Sequence, residues 1–278
     1  MLSRIEAAAY EQVCPDGVCR RVISLENICM LAGGSGHGVN GLEQKALEAG
    51  IIPSRYLRNI GTLGLEGQLQ LLRSTVAVFG LGGLGGLQSE LLARMGVGRL
   101  VLVDGDIFSE DNLNRQVLSS ENGIGKPKTD AAAARVNEVN SGVLVELTRA
   151  RVDSDRMFEL LEGVDVALDA LDSIDSRYDL QEACRRAGKP FVHGAIAGNV
   201  GQVMTVLPGD AGLDVLYAGA SGGGIETATG NPATTPALVA SLQVQEALKL
   251  LTGKGDLLRQ RFLFVDTENN LYEVIPAT

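Results

Sequence analysis

The sequence has no tryptophan, two histidines and only 4% aromatic residues. A core without bulky rings has to be filled by Leu, Val, Ile and Ala, which suits parallel strands covered by helices on both faces. Four cysteines at irregular spacings give no disulfide framework. No uncharged apolar run is long enough to span a bilayer. The opening "MLSRIEAAAYEQ" carries acids and lacks the apolar middle of a signal peptide. Positive charge is not in excess either. The formal net charge of −10 argues against non-specific binding to nucleic acid or to an anionic membrane, while leaving room for a local basic pocket. The expectation is a soluble cytoplasmic protein.

What is present is length enough for a large core: 278 residues, 45% of them hydrophobic. Residues 1–50 differ from the rest and read as a small N-terminal helical appendage. "SRIEAAAYEQV" looks helical, "CPDG" is a turn, and "SLENICMLAG" starts at a capping Ser24. "GGSGHGVNG" is a loop, and "LEQKALEAG" is a short helix stopped by Gly50. The paired helices resemble a helix-turn-helix in order only, and a slightly acidic charge argues against DNA. Packing against the main domain is the simplest role for this segment.

From residue 74 strands and helices alternate. "TVAVFG", "RLVLVDGD", "LVELTRARV" and "VDVALDALD" are strands. "GLQSELLARMG", "KTDAAAARVNEVN", "DRMFELLEG" and "SRYDLQEACRRAG" are helices. "PFVHGAIAGNVGQVMTVL" is extended. "PALVASLQVQEALKLLTG" is a long amphipathic helix stopped by Gly253, and "RFLFVDTENNLYEVIP" closes the chain as a hairpin. The order predicts an α/β, Rossmann-like, mostly parallel sheet with right-handed crossovers and helices on both faces. Residues 208–235 read as a long crossover loop, and loops of that length tend to be functional.

Ligands in such sheets sit at the carboxyl ends of the strands, where Gly80, Asp104, Asp106 and Asp172 all fall. In "VFGLGGLGG" (residues 78–86), Gly80, Gly82 and Gly85 fit G-x-G-x-x-G. Glycine permits a tight turn and close backbone approach, and the following helix N-terminus offers unpaired N–H groups to an anion. Asp104 lies near the spacing of an acid that accepts ribose hydroxyls, which suits NAD and ATP alike. The stretch "DIFSEDNLNRQVLSSENGIGKPKTDAA" favours a triphosphate. Hydride transfer has no need of Asn112, Arg115, Gln116 and Lys128 crowded past the second strand. Arg115 and Lys128 suit charge building on an α-phosphate and a departing pyrophosphate, and Asp172 suits Mg²⁺. Singly, these residues would read as surface cations and a helix cap.

With these motifs the sequence resembles the ThiF/MoeB/HesA family, prokaryotic relatives of ubiquitin-activating enzymes, over roughly residues 52–275. The matching stretches are "RYLRNIGTLGLEGQ", "VAVFGLGGLGG", "ARMGVGRLVLVDGDIFSEDNLNRQ", "GIGKPK", "LDALDS", "GNVGQVMTV" and "SLQVQEALKLLTG". The resemblance implies that residues 51–278 are an ATP-binding adenylation domain. Gly83 would approach the phosphates and Asp104 would bind the ribose. Asn112, Arg115 and Lys128 would stabilise the transferring adenylyl group and the pyrophosphate. Asp172, followed by Ser173 where Asn is common, would hold Mg²⁺. Family members are homodimers, and Arg58 matches the arginine that enters the partner's site. The implied reaction is adenylation of the C-terminal glycine carboxylate of a small ubiquitin-like sulfur carrier ending in Gly-Gly, of the kind used for molybdopterin, thiamine or related synthesis.

The chain also departs from the family pattern. The two C-x-x-C pairs that bind structural zinc in many members are absent, so no zinc is expected in the core domain. Residues 208–240 contain no cysteine, which takes loop-cysteine transfer away and leaves adenylation. Cys184 reads as a small buried hydrophobe, and His193 as a core histidine before a catalyst. Cys14, Cys19, Cys29 and His37 match no strong metal template. The competing readings are adenylation of another carboxylate, on a modified tRNA or a peptide, and an NAD-binding oxidoreductase or nucleotide-binding scaffold.

Overall fold

The computed structural model describes residues 1–14, 17–34, 36–218, 220–222 and 229–277. The chain begins with helix α1 (Leu2–Ala8), strands β1 (Tyr10–Val13) and β2 (Cys19–Ile23), helices α2 (Leu25–Gly33) and α3 (Val39–Glu48), and strand β3 (Ile52–Pro53). Ile5, Ile23, Ile28, Leu42 and Ile51 form its core. Ser24 caps α2 as expected, its Oγ accepting from Asn27 N–H at 3.2 Å.

The purely helical reading of this segment is corrected by a three-stranded sheet, β1-β2-β3. Tyr10–Val13 leaves the helix and pairs antiparallel with β2, Tyr10 opposite Val22 and Val13 opposite Cys19. The hairpin buries only Val22 and Ile23, so no apolar alternation marks it, and the Ala-Glu run before it favours helix. Strand β3 pairs with β2 past residue 50. Pro15 and Asp16 of the expected turn, and Ser35 of the following loop, lie outside the described residues.

A short 3₁₀ turn at Ser54–Tyr56 leads into helix α4 (Ile60–Arg73). Gly64 (φ 71°, ψ 176°) breaks that helix. The Leu63 carbonyl released by the break accepts from Lys254 Nζ at 2.5 Å. Tyr56 is fully buried and ties the two parts of the chain together. Its hydroxyl donates to Glu43 Oε2 of α3 at 3.1 Å and accepts from Asn140 Nδ2 at 2.9 Å.

The main sheet starts with strand β4 (Thr75–Phe79), followed by helix α5 (Gly85–Met95), strand β5 (Arg99–Val103), helix α6 (Lys128–Val139) and strand β6 (Leu144–Thr148). Helix α7 (Ser154–Leu160), strand β7 (Val166–Asp169), helix α8 (Ile174–Ala187) and strands β8 (Phe191–Ala197) and β9 (Val200–Val206) continue it. A short helix α9 (Asp214–Tyr217), the long helix α10 (Thr234–Thr252) and strands β10 (Arg261–Asp266) and β11 (Leu271–Pro276) complete the chain. The sheet has eight strands in the order β11-β10-β9-β8-β7-β4-β5-β6. Strands β6, β5, β4, β7 and β8 run parallel. Strand β9 pairs antiparallel with β8, and the expected closing hairpin β10–β11 follows it.

Successive side chains of a strand point to opposite faces, and β4 shows both destinations. Val76 and Val78 join residues of α4, α5, α6 and α10 in one core. Ala77 and Phe79 join α7 and α8 in the other, which also holds Cys184. Burial of strands on both faces explains their continuous apolar runs. Helix α9 lies inside the segment expected to be loop; residues 219 and 223–228 of that segment fall outside the described ones. Among the described residues no helix is long and apolar enough to cross a membrane.

Candidate active site

Strands β4, β5 and β7 end side by side, so the loops leaving them share one opening. Between β4 and β7 the chain order of the sheet reverses, which leaves a crevice at the strand ends. The cavity there has a volume of about 540 Å³, in the range of small-ligand sites. Its wall includes Gly80, Gly82, Gly83, Asp104, Asp106, Asn112, Arg115, Gln116, Lys128, Asp172 and Ser173. Gly85 and Arg58 are absent from that wall.

The glycines divide by what a side chain would meet. At Gly80 (φ +91°) a Cβ would fall 2.4 Å from Ala170 O. At Gly85 it would fall 1.8 Å from Gly80 O. Both positions therefore fold the loop against the end of β7 and the start of α5, and neither leaves room for a side chain. Gly82 differs: its nearest neighbour would be Gln116 Nε2 at 3.7 Å, so its missing side chain leaves open space beside the cavity.

Asp104 anchors this loop. Its Oδ2 accepts from Leu81 N–H at 2.6 Å and its Oδ1 from Asp106 N–H at 2.7 Å. Each carboxylate oxygen keeps a second lone pair for a hydroxyl. Asn112 is buried, with Oδ1 accepting from Ser109 N–H at 3.3 Å in a capping box. Arg115 donates to Asp111 O at 2.7 Å and Asn114 Oδ1 at 2.8 Å. Lys128, the first residue of α6, is 91% buried at its side chain, with Nζ 3.2 Å from Asp106 Oδ2. Arg151 holds the other oxygen of Asp106 at 3.2 Å. Partial burial pushes the Asp106 carboxyl up, but Lys128 and Arg151 outweigh it and hold the group below the usual range. Arg151 follows β6 and also lines the cavity; nothing in its local sequence marked it.

Asp172 is exposed at the mouth, three residues beyond β7. The cap of α8 is Ser173, whose Oγ accepts from Ser176 N–H at 3.2 Å. Asp172 is thus spared the cap role, and Ser173 has it. Arg58 is exposed, away from its own cavity, while Arg55 beside it pairs with Glu43.

The donor set fits a nucleoside triphosphate. Gln116 is buried, lines the cavity, and its Oε1 has no hydrogen-bond partner; the same holds for Oδ1 of Asn231, whose backbone carbonyl accepts from Asn114 Nδ2 at 3.0 Å. An acceptor left unpaired at a buried site costs about 1–3 kcal/mol until a ligand satisfies it. Arg115, Lys128, Arg151 and Arg177 supply positive charge around the cavity. Asp172 offers one carboxylate, the type of ligand that Mg²⁺ combines with phosphate oxygens. Among the described residues, no three His, Cys, Asp or Glu side chains gather as a metal site, so a cation here would share its ligands with the phosphates. Cys29 and Cys19 are exposed, and Cys14 and Cys184 are buried.

Sequence reading missed the wall behind the cavity. His193 is fully buried on β8, and its Nδ1 lies 2.6 Å from Asp169 Oδ2 at the end of β7. The expectation of a core histidine holds for its burial. Its partners are spread over β7, β9 and α9, and no local motif joins them.

The profile of the ThiF family matches residues 56–278. Over 227 residues the chain is 40% identical to the SAMP-activating enzyme E1 of Haloferax volcanii, covering 80% of this chain and 84% of that protein. It is 36% identical to the sulfur carrier protein ThiS adenylyltransferase of Bacillus subtilis, over 72% of this chain and 61% of the relative. Against the adenylyltransferase and sulfurtransferase MOCS3 of Arabidopsis thaliana it is 33% identical but spans about half, 52%, of that longer protein. In fold it is similar to the crystal structure of Escherichia coli MccB, with a TM-score of 0.69 at 21% identity, covering 80% of this chain and 72% of that one. By the profile match and these identities together, the chain belongs to the ThiF family.

Proposed function

We propose that this protein is an ATP-dependent adenylyltransferase that activates the C-terminal glycine carboxylate of a small ubiquitin-like sulfur carrier. The observation that carries the reading is the gathering of Gly82, Asn112, Arg115, Gln116, Lys128 and Asp172 around one cavity at the strand ends. The names of the Haloferax volcanii and Bacillus subtilis relatives agree with it.

In this reading the glycine loop and the N-terminus of α5 receive the phosphates, and Asp104 takes the ribose. Asp172 would hold Mg²⁺, which when bound neutralises phosphate charge. A carboxylate oxygen of the carrier attacks the α-phosphorus, the bond to the bridging oxygen breaks, and pyrophosphate leaves. Lys128 and Arg115 stabilise the charge that builds on the phosphoryl oxygens and the leaving group. To do so, Lys128 exchanges its hold on Asp106 for a phosphate. The nucleophile is already a carboxylate, so the chain has only to position and stabilise. With no cysteine in residues 208–240, the acyl-adenylate passes to an external sulfur donor.

The finer parts of the reading are a cytoplasmic homodimer with Arg58 reaching the partner's site and a core domain without zinc. The exposure of Arg58 outside its own cavity supports the trans role. Mixing Arg58→Ala subunits with Lys128→Ala subunits should restore partial activity, because one hybrid site is intact. A verified heterodimer without rescue would refute that role. For the reaction itself, pyrophosphate–ATP exchange is measured with a panel of small carriers ending in Gly-Gly. Exchange that depends on one carrier is the expected result. ATP binding without exchange for any carrier would redirect the reading to another carboxylate, on a peptide or tRNA. NADH binding without ATP binding would end it.

A further inference from the structure

Behind the cavity wall, four elements meet at one hydroxyl. Tyr217 of α9 places its OH 3.1 Å from His193 Nε2, 2.9 Å from Gln202 Nε2 on β9 and 3.1 Å from Arg177 Nη1 on α8. Gln202 Nε2 also lies 3.2 Å from His193 Nε2, and one arrangement satisfies the hydroxyl fully. His193 Nδ1–H donates to Asp169 Oδ2 at 2.6 Å, so Nε2 accepts. The Tyr217 O–H donates to that nitrogen, and its two lone pairs accept from Gln202 and Arg177. Burial pushes the imidazole below its ordinary value against the pull of the nearby carboxylate, which favours the neutral form.

The same groups reach the cavity. Asp169 Oδ1 accepts from Leu171 N–H at 3.0 Å, and Arg177 Nη2 donates to Leu171 O at 2.9 Å. Leu171 is therefore held at both its backbone groups, and Asp172 is the next residue. Leu171, Asp172 and Arg177 all line the cavity, whereas Tyr217 and His193 do not. Gln243 of α10 adds a further tie, donating to Asp169 O at 2.7 Å.

We propose that Tyr217 and His193 are positioning residues of the nucleotide site: acting through Arg177 and Asp169, they fix the turn after β7 that presents Asp172. The proposal deepens the adenylation reading and rests on it for the nucleotide. It gives α9 a task in the site although α9 touches no part of the cavity.

The test is the Mg²⁺ concentration that gives half-maximal ATP binding to the full chain, followed by calorimetry, with the thermal midpoint recorded for each variant. Tyr217→Phe removes one oxygen and keeps the ring. It should raise that concentration about fivefold, the scale of one hydrogen bond, while the protein still melts cooperatively. His193→Gln should act in the same direction. The double variant should be no worse than the more affected single one, because both act along one path. If either variant lowers the melting midpoint but leaves the Mg²⁺ dependence unchanged, the two residues are merely structural and the proposal falls alone. A wild-type protein that binds no ATP at any Mg²⁺ concentration overturns the adenylation reading and this proposal with it.

Discussion

Two clusters, each an aspartate between two basic side chains, lie on either side of the cavity's strands, one past β5 and β6 and the other at β7 and β8. In one, Asp106 sits between Lys128 and Arg151, each at 3.2 Å. In the other, Asp169 sits between His193 at 2.6 Å and Arg177 at 3.8 Å. The side chain of Asp106 is 39% exposed, while that of Asp169 is fully buried. Water and salt reach Asp106 and the exposed Arg151, so that pair is weak and the carboxylate is exchangeable even though Lys128 is buried. The second has no competitor, and removing a partner strands a polar group. The same chemistry thus serves as a grip at the mouth and as a frame behind it.

The comparison predicts different losses from the two sides. The largest belongs to the mouth. Lys128→Ala should lower the adenylation rate by a factor of order 10²–10³, as for removal of a transition-state charge partner, with little change in urea stability. A near-normal exchange rate would break the assignment. His193→Ala should do the reverse in kind, reducing stability in urea by about 1–3 kcal/mol because Asp169 loses a buried donor. An unchanged unfolding midpoint would show that the frame is no frame.

The glycines sharpen the same contrast within one loop. Alanine normally stabilises a helix relative to glycine, but Gly85→Ala should cost about 1–3 kcal/mol by overpacking and should lose ATP binding too. Gly82→Ala should melt like the wild type and lose only nucleotide affinity. Equal melting losses in both would mean that the loop is one packing unit.

The smallest effect lies at the joint to the N-terminal sheet. Burial holds the Glu43 carboxyl above its ordinary value, against the opposing pulls of Arg55 and Tyr56. The folded chain therefore binds this proton more readily than the unfolded chain does. The resulting stability is present below the ordinary carboxylate value of about 4.5 and fades as pH rises through the raised one. Glu43→Gln should flatten that decline in a series of urea titrations. A slope equal to the wild type would place the dependence elsewhere.

The mouth was legible in the sequence and the frame was not, for a physical reason. Gly80, Gly82 and Asp104 follow their strands closely, and Asn112, Arg115 and Lys128 fall in the one connection between β5 and α6, so short motifs carry them. His193, Gln202, Tyr217 and Arg177 meet only because β7, β8 and β9 lie side by side and α8 and α9 cover them. A sequence records neither the direction of β9 nor its register. The central strands announced themselves through unbroken apolar runs, whereas the β1–β2 hairpin, wet on most of its surface, had no such signature. Ser173 shows the limit within a motif: adjacency to Asp172 suggested a shared role, and the helix start divides them into a cap and an exposed carboxylate.

The break at Gly64 separates two jobs that one straight helix would have joined. Beyond it, α4 is anchored among Leu71 and the main core. Before it, the stretch that follows Arg58 is tied back across the break: Leu63 enters the same core, Asn59 Nδ2 donates to Gln68 Oε1 at 2.9 Å, and Lys254 holds the Leu63 carbonyl. A change at residue 254 would remove the donor to the carbonyl at the break. In the proposed homodimer, the geometry of this break sets where Arg58 can reach.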